Sequence, residues 1–499
     1  MRAPSALLLT MLLPTAALAS AQPVRRAVLS NTLPRYDVNG AIVNAKSGSL
    51  YRFNGTFYLY GTAYPACEQR GAICEQSCGY YNNTFAVYAS PDMMAWTLLS
   101  ANLVPQINGD AAHIEYDEVN VGYCAERGDF VLLFWSGHFG FRGNSLAIAR
   151  APTPAGPFTL APPLVAAGAQ IISDTVSLFV DDDGTAYVRY NTRDLPFRHV
   201  VERLSRDWSR VTGEFAVIFA KPTFPWFDGG GMFRRGDIYY VMLSFDCCFC
   251  SWGSDALVFV APSPLGPWAP QSRAALAALR QRARGAPCNL TGVWEGSLGG
   301  KPPGPPTVSL FHAASNAVTA SGAVATAGVF YPANNSLVFP AFPGFAADPL
   351  VGALGAFNGS SDACSQLTWL RGDIPGGNYW CAAGACGPQP NPPAARPNEV
   401  NFCADGRQPP ETVADMTINP CSQGDVNGVN FTVPAQQFAV ATLANASGGA
   451  PALLYIGERF RSSPWGLKNS DFSYWAPLGF DADGAVQRMS FVDSYELVL

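Results

Sequence analysis

The feature that most constrains this chain is a recurring unit of hairpin, third strand, proline turn and large aromatic. Phe57-Tyr58-Leu59-Tyr60 leads to Tyr88-Ala89-Ser90-Pro91 and Trp96. Phe130-Val131-Leu132-Leu133 leads to Ala151-Pro152-Thr153-Pro154 and Phe158, and Tyr239-Tyr240-Val241-Met242 leads to Ala261-Pro262-Ser263-Pro264 and Trp268. Trp208, after Ala186-Tyr187-Val188-Arg189-Tyr190, marks a degenerate copy, so the marker aromatics at 96, 158, 208 and 268 lie 62, 50 and 60 residues apart. A four-stranded antiparallel blade with its turns consumes about 40 to 60 residues. Four copies at that spacing predict radial repetition of small sheets, a mainly β propeller.

The turns agree. Asp182-Asp183-Gly184 and Asp483-Gly484 are hairpin signals, and a calcium loop of the EF-hand kind would need a longer ligand series ending in Glu. After Trp268 the pattern breaks: 269–287 carries Arg273, Arg280, Arg282 and Arg284 among alanines, and reads as a connector or short helix. Residues 286–425 are rich in Cys, hold sequons at Asn289, Asn334 and Asn358, and read as an inserted small β-rich domain. Blade style returns at 430–499 with Phe438-Ala439-Val440, Leu453-Leu454-Tyr455-Ile456 and Tyr474-Trp475, so blades 1 to 4 occupy 30–270 and a fifth blade closes the ring.

Charge excludes some function classes. With 31 basic and 37 acidic residues and no run of either sign, the chain lacks the concentrated basic face a nucleic-acid binder needs. Residues 1–21 pair Arg2 with an apolar stretch, Leu7 to Leu13, and small residues at Ala17, Ala19 and Ala21, the pattern of a secretory signal peptide. Thirteen cysteines then read as disulfides, with one odd thiol, and further Asn-x-Ser/Thr sequons at Asn54, Asn82, Asn430 and Asn445 fit an exported glycoprotein. Cys247-Cys248-Phe249-Cys250 invites a zinc reading, but the histidines at 113, 138, 199 and 312 give no matching ligand spacing, so neither a metal nor a cofactor is expected. No later apolar stretch is long enough for a membrane span.

Five stretches carry a resemblance to a known family. They are Asp37-Val38-Asn39-Gly40 through Ala45-Lys46-Ser47-Gly48 to Phe57-Tyr58-Leu59-Tyr60-Gly61; Leu178-Phe179-Val180-Asp181-Asp182-Asp183-Gly184; Asp228-Gly229-Gly230-Gly231-Met232-Phe233-Arg234-Arg235; Gly266-Pro267-Trp268; and Ala435-Gln436-Gln437 with Gly457-Glu458-Arg459-Phe460. In that order the chain resembles glycoside hydrolase family 43, five-bladed propellers, and within it the exo-acting β-1,3-galactanase type. The resemblance implies a secreted glycosidase acting on galactan or arabinogalactan-type polysaccharide with inversion. The insert lies outside it. Two other readings stay open: a carbohydrate-binding propeller without catalysis, and a structural surface protein.

Inverting hydrolysis needs an acid for the leaving oxygen and a group that sets a water on the opposite sugar face, about 6.5 to 9.5 Å apart. The family acid is a Glu before a small-Pro-x-Met-Phe run, and Asp228 stands there, about 1.5 Å shorter by one carbon–carbon bond. The plain alternative makes Asp228 a cap on a Gly229-Gly230-Gly231 turn. The galactanase-like subset lacks the usual base Asp in blade 1, where this chain has Ala45-Lys46 and Ser49, and looks instead to a Gln in the last blade. Gln436 matches without a gap and Gln437 with a shift; an amide positions water, or acts through a tautomer. Asp174 stands near the position of the family's modulating Asp, one residue too far from Leu178-Phe179. Of Glu115, Asp117 and Glu118 in blade 2, Glu118 is chosen as a second modulating carboxylate because it shares a strand face with Asn120 and Gly122, opposite Val119, Val121 and Tyr123. Trp226 and Trp252 are candidates to stack on the sugar.

Overall fold

The computed structural model describes residues 26–283, apart from 69–82, 111–113, 139–141, 167–168, 174, 193–196, 222–226 and 246–254; the strands between 292 and 401, by their backbone; and 433–498, apart from 434, 444–450 and 461. Residues 1–25, where the signal peptide is read, lie outside it.

Five sheets stand around one axis. Blade 1 is built from Lys46–Phe53, Thr56–Ala63, Thr84–Ser90 and Thr97–Ser100; blade 2 from Ile114–Cys124, Asp129–His138, Arg142–Ala151 and Thr159–Leu160. Blade 3 comprises Val176–Val180, Ala186–Asn191, Phe197–Leu204 and Val211–Lys221. Blade 4 comprises Phe227–Arg235, Ile238–Phe245, Asp255–Ala261 and Ala269–Pro270. Blade 5 has Gln436–Leu443, Ala452–Arg459 and Phe472–Pro477. The first strand of each blade touches the first strand of the next, and that of blade 5 touches that of blade 1, so the ring is closed. The propeller expected from the repeat is the fold of the chain.

Five apolar wedges hold neighbouring blades together, and the marker aromatics are their keystones. Trp96 of blade 1 packs beside Trp475 in the wedge between blades 5 and 1, and Phe158 of blade 2 lies between blades 1 and 2. Trp208 lies between blades 2 and 3, and Trp268 between blades 3 and 4. Each marker therefore packs back against the preceding blade. Burying a marker aromatic at four of the five joints contributes roughly 1.5 to 3 kcal/mol apiece, which explains a repeat legible by its aromatics.

The ring is laced at blade 5. Arg26–Ser30 pairs antiparallel with Ser494–Val498. Asn31 then uses its side-chain amide as a strand edge, donating to Trp475 O at 2.8 Å and accepting from Trp475 N at 2.9 Å. Between blades 4 and 5 the eight strands from Gly292–Gly296 to Tyr379–Ala382 form a closed antiparallel barrel, and Glu399–Asn401 pairs with the third strand of blade 4. Among the described residues, no helix is long and apolar enough to cross a membrane.

Both acidic turns are hairpins: Asp181 O accepts from Gly184 N, and Asp481 O from Gly484 N. Cys124 is a buried free thiol, whereas Cys67 is disulfide-bonded. The Cys247-Cys248-Cys250 cluster lies outside the described residues. Of the sequon asparagines, Asn54 is described, exposed at a tight turn with φ 48° before Gly55 at φ 82°.

Candidate active site

The innermost strands of blades 1, 2, 4 and 5 share one irregularity. In blade 1 Lys46 pairs with Thr62 and Ser49 with Tyr60; in blade 2 Asp117 pairs with Trp135 and Asn120 with Leu133; in blade 4 Asp228 pairs with Ser244 and Gly231 with Met242. Each pairing passes over one extra residue, a β-bulge, which re-aims the side chain before it. The residue after Lys46, Asp117 and Asp228 is left-handed each time: Ser47 at φ 48°, Glu118 at 53° and Gly229 at 55°. Blade 5 keeps the same offset, Gln436 opposite Glu458 and Ala439 opposite Ile456.

Ser49, Asn120, Ser177, Gly231 and Ala439, one from each blade, line an axial cavity of about 30 Å³. That holds about one water, so a sugar does not pass along the axis. Three residues before these five stand Lys46, Asp117, Asp174, Asp228 and Gln436. The register thus aligns Asp228 and Gln436 with Lys46 and Asp117 at one end of the axis. Asp174 has the matching sequence offset but lies outside the described residues, and Asp228 is described by its backbone. Gln436, the ungapped choice, holds the equivalent position, and Gln437 the next.

Blades 4 and 5 meet closely at Gly229 and Gly231, while Gly230 lies against the second strand of its own blade. A Cβ on Gly229 would come 2.1 Å from Gln437 O, one on Gly230 2.3 Å from Met242 O, and one on Gly231 2.5 Å from Val440 N. The Gly229-Gly230-Gly231 run is a bulged strand rather than a turn.

Glu118 does share a face with Asn120 and Gly122, toward blade 3, but sits in the bulge, one residue past the ring position. It is buried, its Oε2 accepting from Thr175 Oγ1 at 2.8 Å and Val176 N at 2.6 Å, its Oε1 from Gly229 N at 2.8 Å. Asp117 holds the ring position of blade 2. Its Oδ1 accepts from Thr62 Oγ1 at 2.7 Å and Glu118 N at 2.9 Å, and its Oδ2 from Tyr64 OH at 3.2 Å. Burial raises its pKa to about 7, with the Glu458 charge adding, against the pull of those hydrogen bonds and of Lys468. Asp117 is thus a carboxyl that holds a proton close to neutrality.

A buried ionic network spans blades 5 and 1 beside it. Lys468 Nζ meets Glu458 Oε1 at 2.7 Å and Asp471 Oδ2 at 3.7 Å, and lies 4.0 Å over the Phe460 ring. Glu458 Oε2 accepts from Ser47 N at 3.1 Å, and Lys46 Nζ donates to the Asp471 carbonyl. Burial lowers Lys46 to about 8, opposed by Glu458 and Asp471. The 460–471 loop so anchored joins the second and third strands of blade 5 at the ring end, and at its tip Trp465 is 55% exposed. Trp226 and Trp252 lie outside the described residues.

Against known proteins, the model of glycosyl hydrolases family 43 matches residues 43–292, half of the chain and all four unbroken blades. The chain belongs to glycosyl hydrolases family 43. It is a glycosidase. The family 43 fold recurs in solved structures. A β-1,3-galactosidase of the family, with galactodeoxynojirimycin, aligns at TM-score 0.51 with 14% identity over 94% of this chain and 99% of that one. An exo-β-1,3-galactanase from Clostridium thermocellum aligns at 0.49 with 14% identity, covering 94% and 66%. One from Phanerochaete chrysosporium, with galactose, aligns at 0.41 with 14% identity, covering 95% and 100%. Compared by sequence with curated proteins, the chain has no significant match.

Proposed function

We propose that this family 43 glycosidase cleaves β-galactosidic bonds of galactan or arabinogalactan-type polysaccharide outside the cell, with inversion at the anomeric carbon. Asp228 donates a proton to the leaving oxygen as the glycosidic bond breaks. Gln436 orients the water that attacks from the opposite face, and the proton this water sheds returns through solvent to Asp228. Asp117, protonated up to about neutral pH, is suited to donate a hydrogen bond to a sugar hydroxyl. The observation that carries the reading is the shared offset of Asp228, Asp117 and Gln436 from the axial cavity residues. The signal-like segment, the sequons and the disulfide at Cys67 support export.

The test is product release from a panel of β-1,3-galactan, arabinan and xylan, with the first-formed anomer followed by NMR. Galactose released from galactan as the α-anomer supports the proposal. Release of arabinose or xylose alone overturns the substrate class, and a first-formed β-anomer overturns inversion. Tight binding of galactan without any release replaces catalysis with a binding role.

A further inference from the structure

Both polar backbone groups of Gly229, the residue after Asp228, are held by ionisable side chains from other blades. Its N–H donates to Glu118 Oε1 of blade 2 at 2.8 Å, and its C=O accepts from Arg189 Nη2 of blade 3 at 2.5 Å. The Thr175 hydroxyl joins the two, donating to Glu118 Oε2 at 2.8 Å and accepting from Arg189 Nη2 at 2.9 Å. Arg189 Nε also donates to Ser177 Oγ at 2.9 Å. Arg189 is 1% exposed and Glu118 4%.

Burying a guanidinium and a carboxylate is costly, and apolar side chains of similar volume would pack blades 2, 3 and 4 at least as stably. What apolar packing cannot do is fix a glycine strand. Gly229, Gly230 and Gly231 have no side chains to lock them and the widest backbone freedom of any residue. Proton transfer tolerates little error, a misplacement of about 1 Å costing on the order of 100-fold.

We propose that Glu118, Thr175 and Arg189 form a brace of positioning residues that fixes the Asp228 backbone for proton transfer. The inference rests on the reading of Asp228 as the acid. Without that brace the backbone at Asp228 shifts with its glycine neighbours.

The test uses the full chain with aryl β-galactosides whose leaving phenols run from poor to good, since a good leaving group needs no proton. Arg189→Lys and Glu118→Gln are expected to lower kcat about 10- to 100-fold on the poorest leaving group, with KM held within about 3-fold. On the dinitrophenyl substrate both should recover most of the wild-type rate. Thr175→Val keeps both charges and the side-chain volume, so it folds if either charge variant does not, and should show the same pattern at about 3- to 10-fold. Adding Thr175→Val to Asp228→Asn should cost nothing more. Asp228→Asn assayed alongside separates the two claims. If its loss is indifferent to the leaving group, the acid assignment falls. If it depends on the leaving group while the brace variants do not, or if the double variant is additive, the acid stands and the brace is refuted.

Discussion

The two sides of blade 2 bury charge to different ends. Toward blades 3 and 4, Glu118 and Arg189 spend their hydrogen bonds largely on backbone and hydroxyl groups of other blades, which fixes where the neighbours of Asp228 lie. Toward blades 1 and 5, Lys468, Glu458 and Asp471 pair chiefly with one another and anchor the 460–471 loop. The first arrangement governs geometry, the second charge and shape at the rim. Adjacent residues, Glu118 and Asp117, fall on opposite sides of that division because the bulge turns them apart.

The comparison is sharpest at Asp228. Asp228→Asn keeps the shape but removes the proton, and should cost about 100- to 10,000-fold in kcat with thermal unfolding unmoved. Asp228→Glu restores the family's reach, and a gain in kcat would show the shorter acid to be limiting. Equal loss of activity and of unfolding temperature in Asp228→Asn would break the division.

On the other side the signature is stability. Lys468→Met strands Glu458 in the interior and should destabilise the fold by about 3 to 5 kcal/mol in denaturant unfolding, while Lys468→Met with Glu458→Leu recovers most of it. A stable Lys468→Met protein that has lost activity would reverse the roles assigned here.

Asp117 supplies a pH-dependent reading. Its folded pKa, about 7, exceeds that of an unfolded Asp, so the folded state binds the extra proton and stability declines as pH rises from about 4 to 7. Asp117→Asn should flatten that decline when unfolding free energies are measured across the window. An unchanged slope would mean that Asp117 is ionised throughout.

The smallest effect is placed on the loop tip. If Trp465 stacks on sugar beyond the ring, Trp465→Ala should weaken polymer binding by about 0.5 to 1.5 kcal/mol without touching hydrolysis of a short aryl galactoside. Equal effects on both substrates would move Trp465 out of that role.

The blades were legible because each carries its own wedge aromatic, a local mark repeated at blade spacing. Motif order singled out Asp228 and Gln436, which share a register position, but that Asp117 rather than Glu118 holds this position in blade 2 was not legible. Strand alternation groups Glu118 correctly with Asn120 and Gly122, yet the left-handed φ at Glu118 has no signature in a Glu-Val pair, unlike the glycine at 229. The Lys468 network was hidden for another reason. Its members come from the second strand and following loop of blade 5 and from Lys46 and Ser47 in blade 1, and only ring closure brings them together.

That closure also has a consequence for how the molecule is assembled. Arg26–Ser30 emerges before every blade and its mate Ser494–Val498 after all of them, so the earliest strand waits unpaired while four blades and the barrel form. Until the mate arrives, blade 5 has no outer edge beyond Asn31 on Trp475, and the wedge between blades 5 and 1 has an open flank. The propeller behaves like a clasped bracelet: each link is completed by its neighbours, and the circular shape, with the convergence of ring positions from distant parts of the chain, is held by a pairing between its first and last strands.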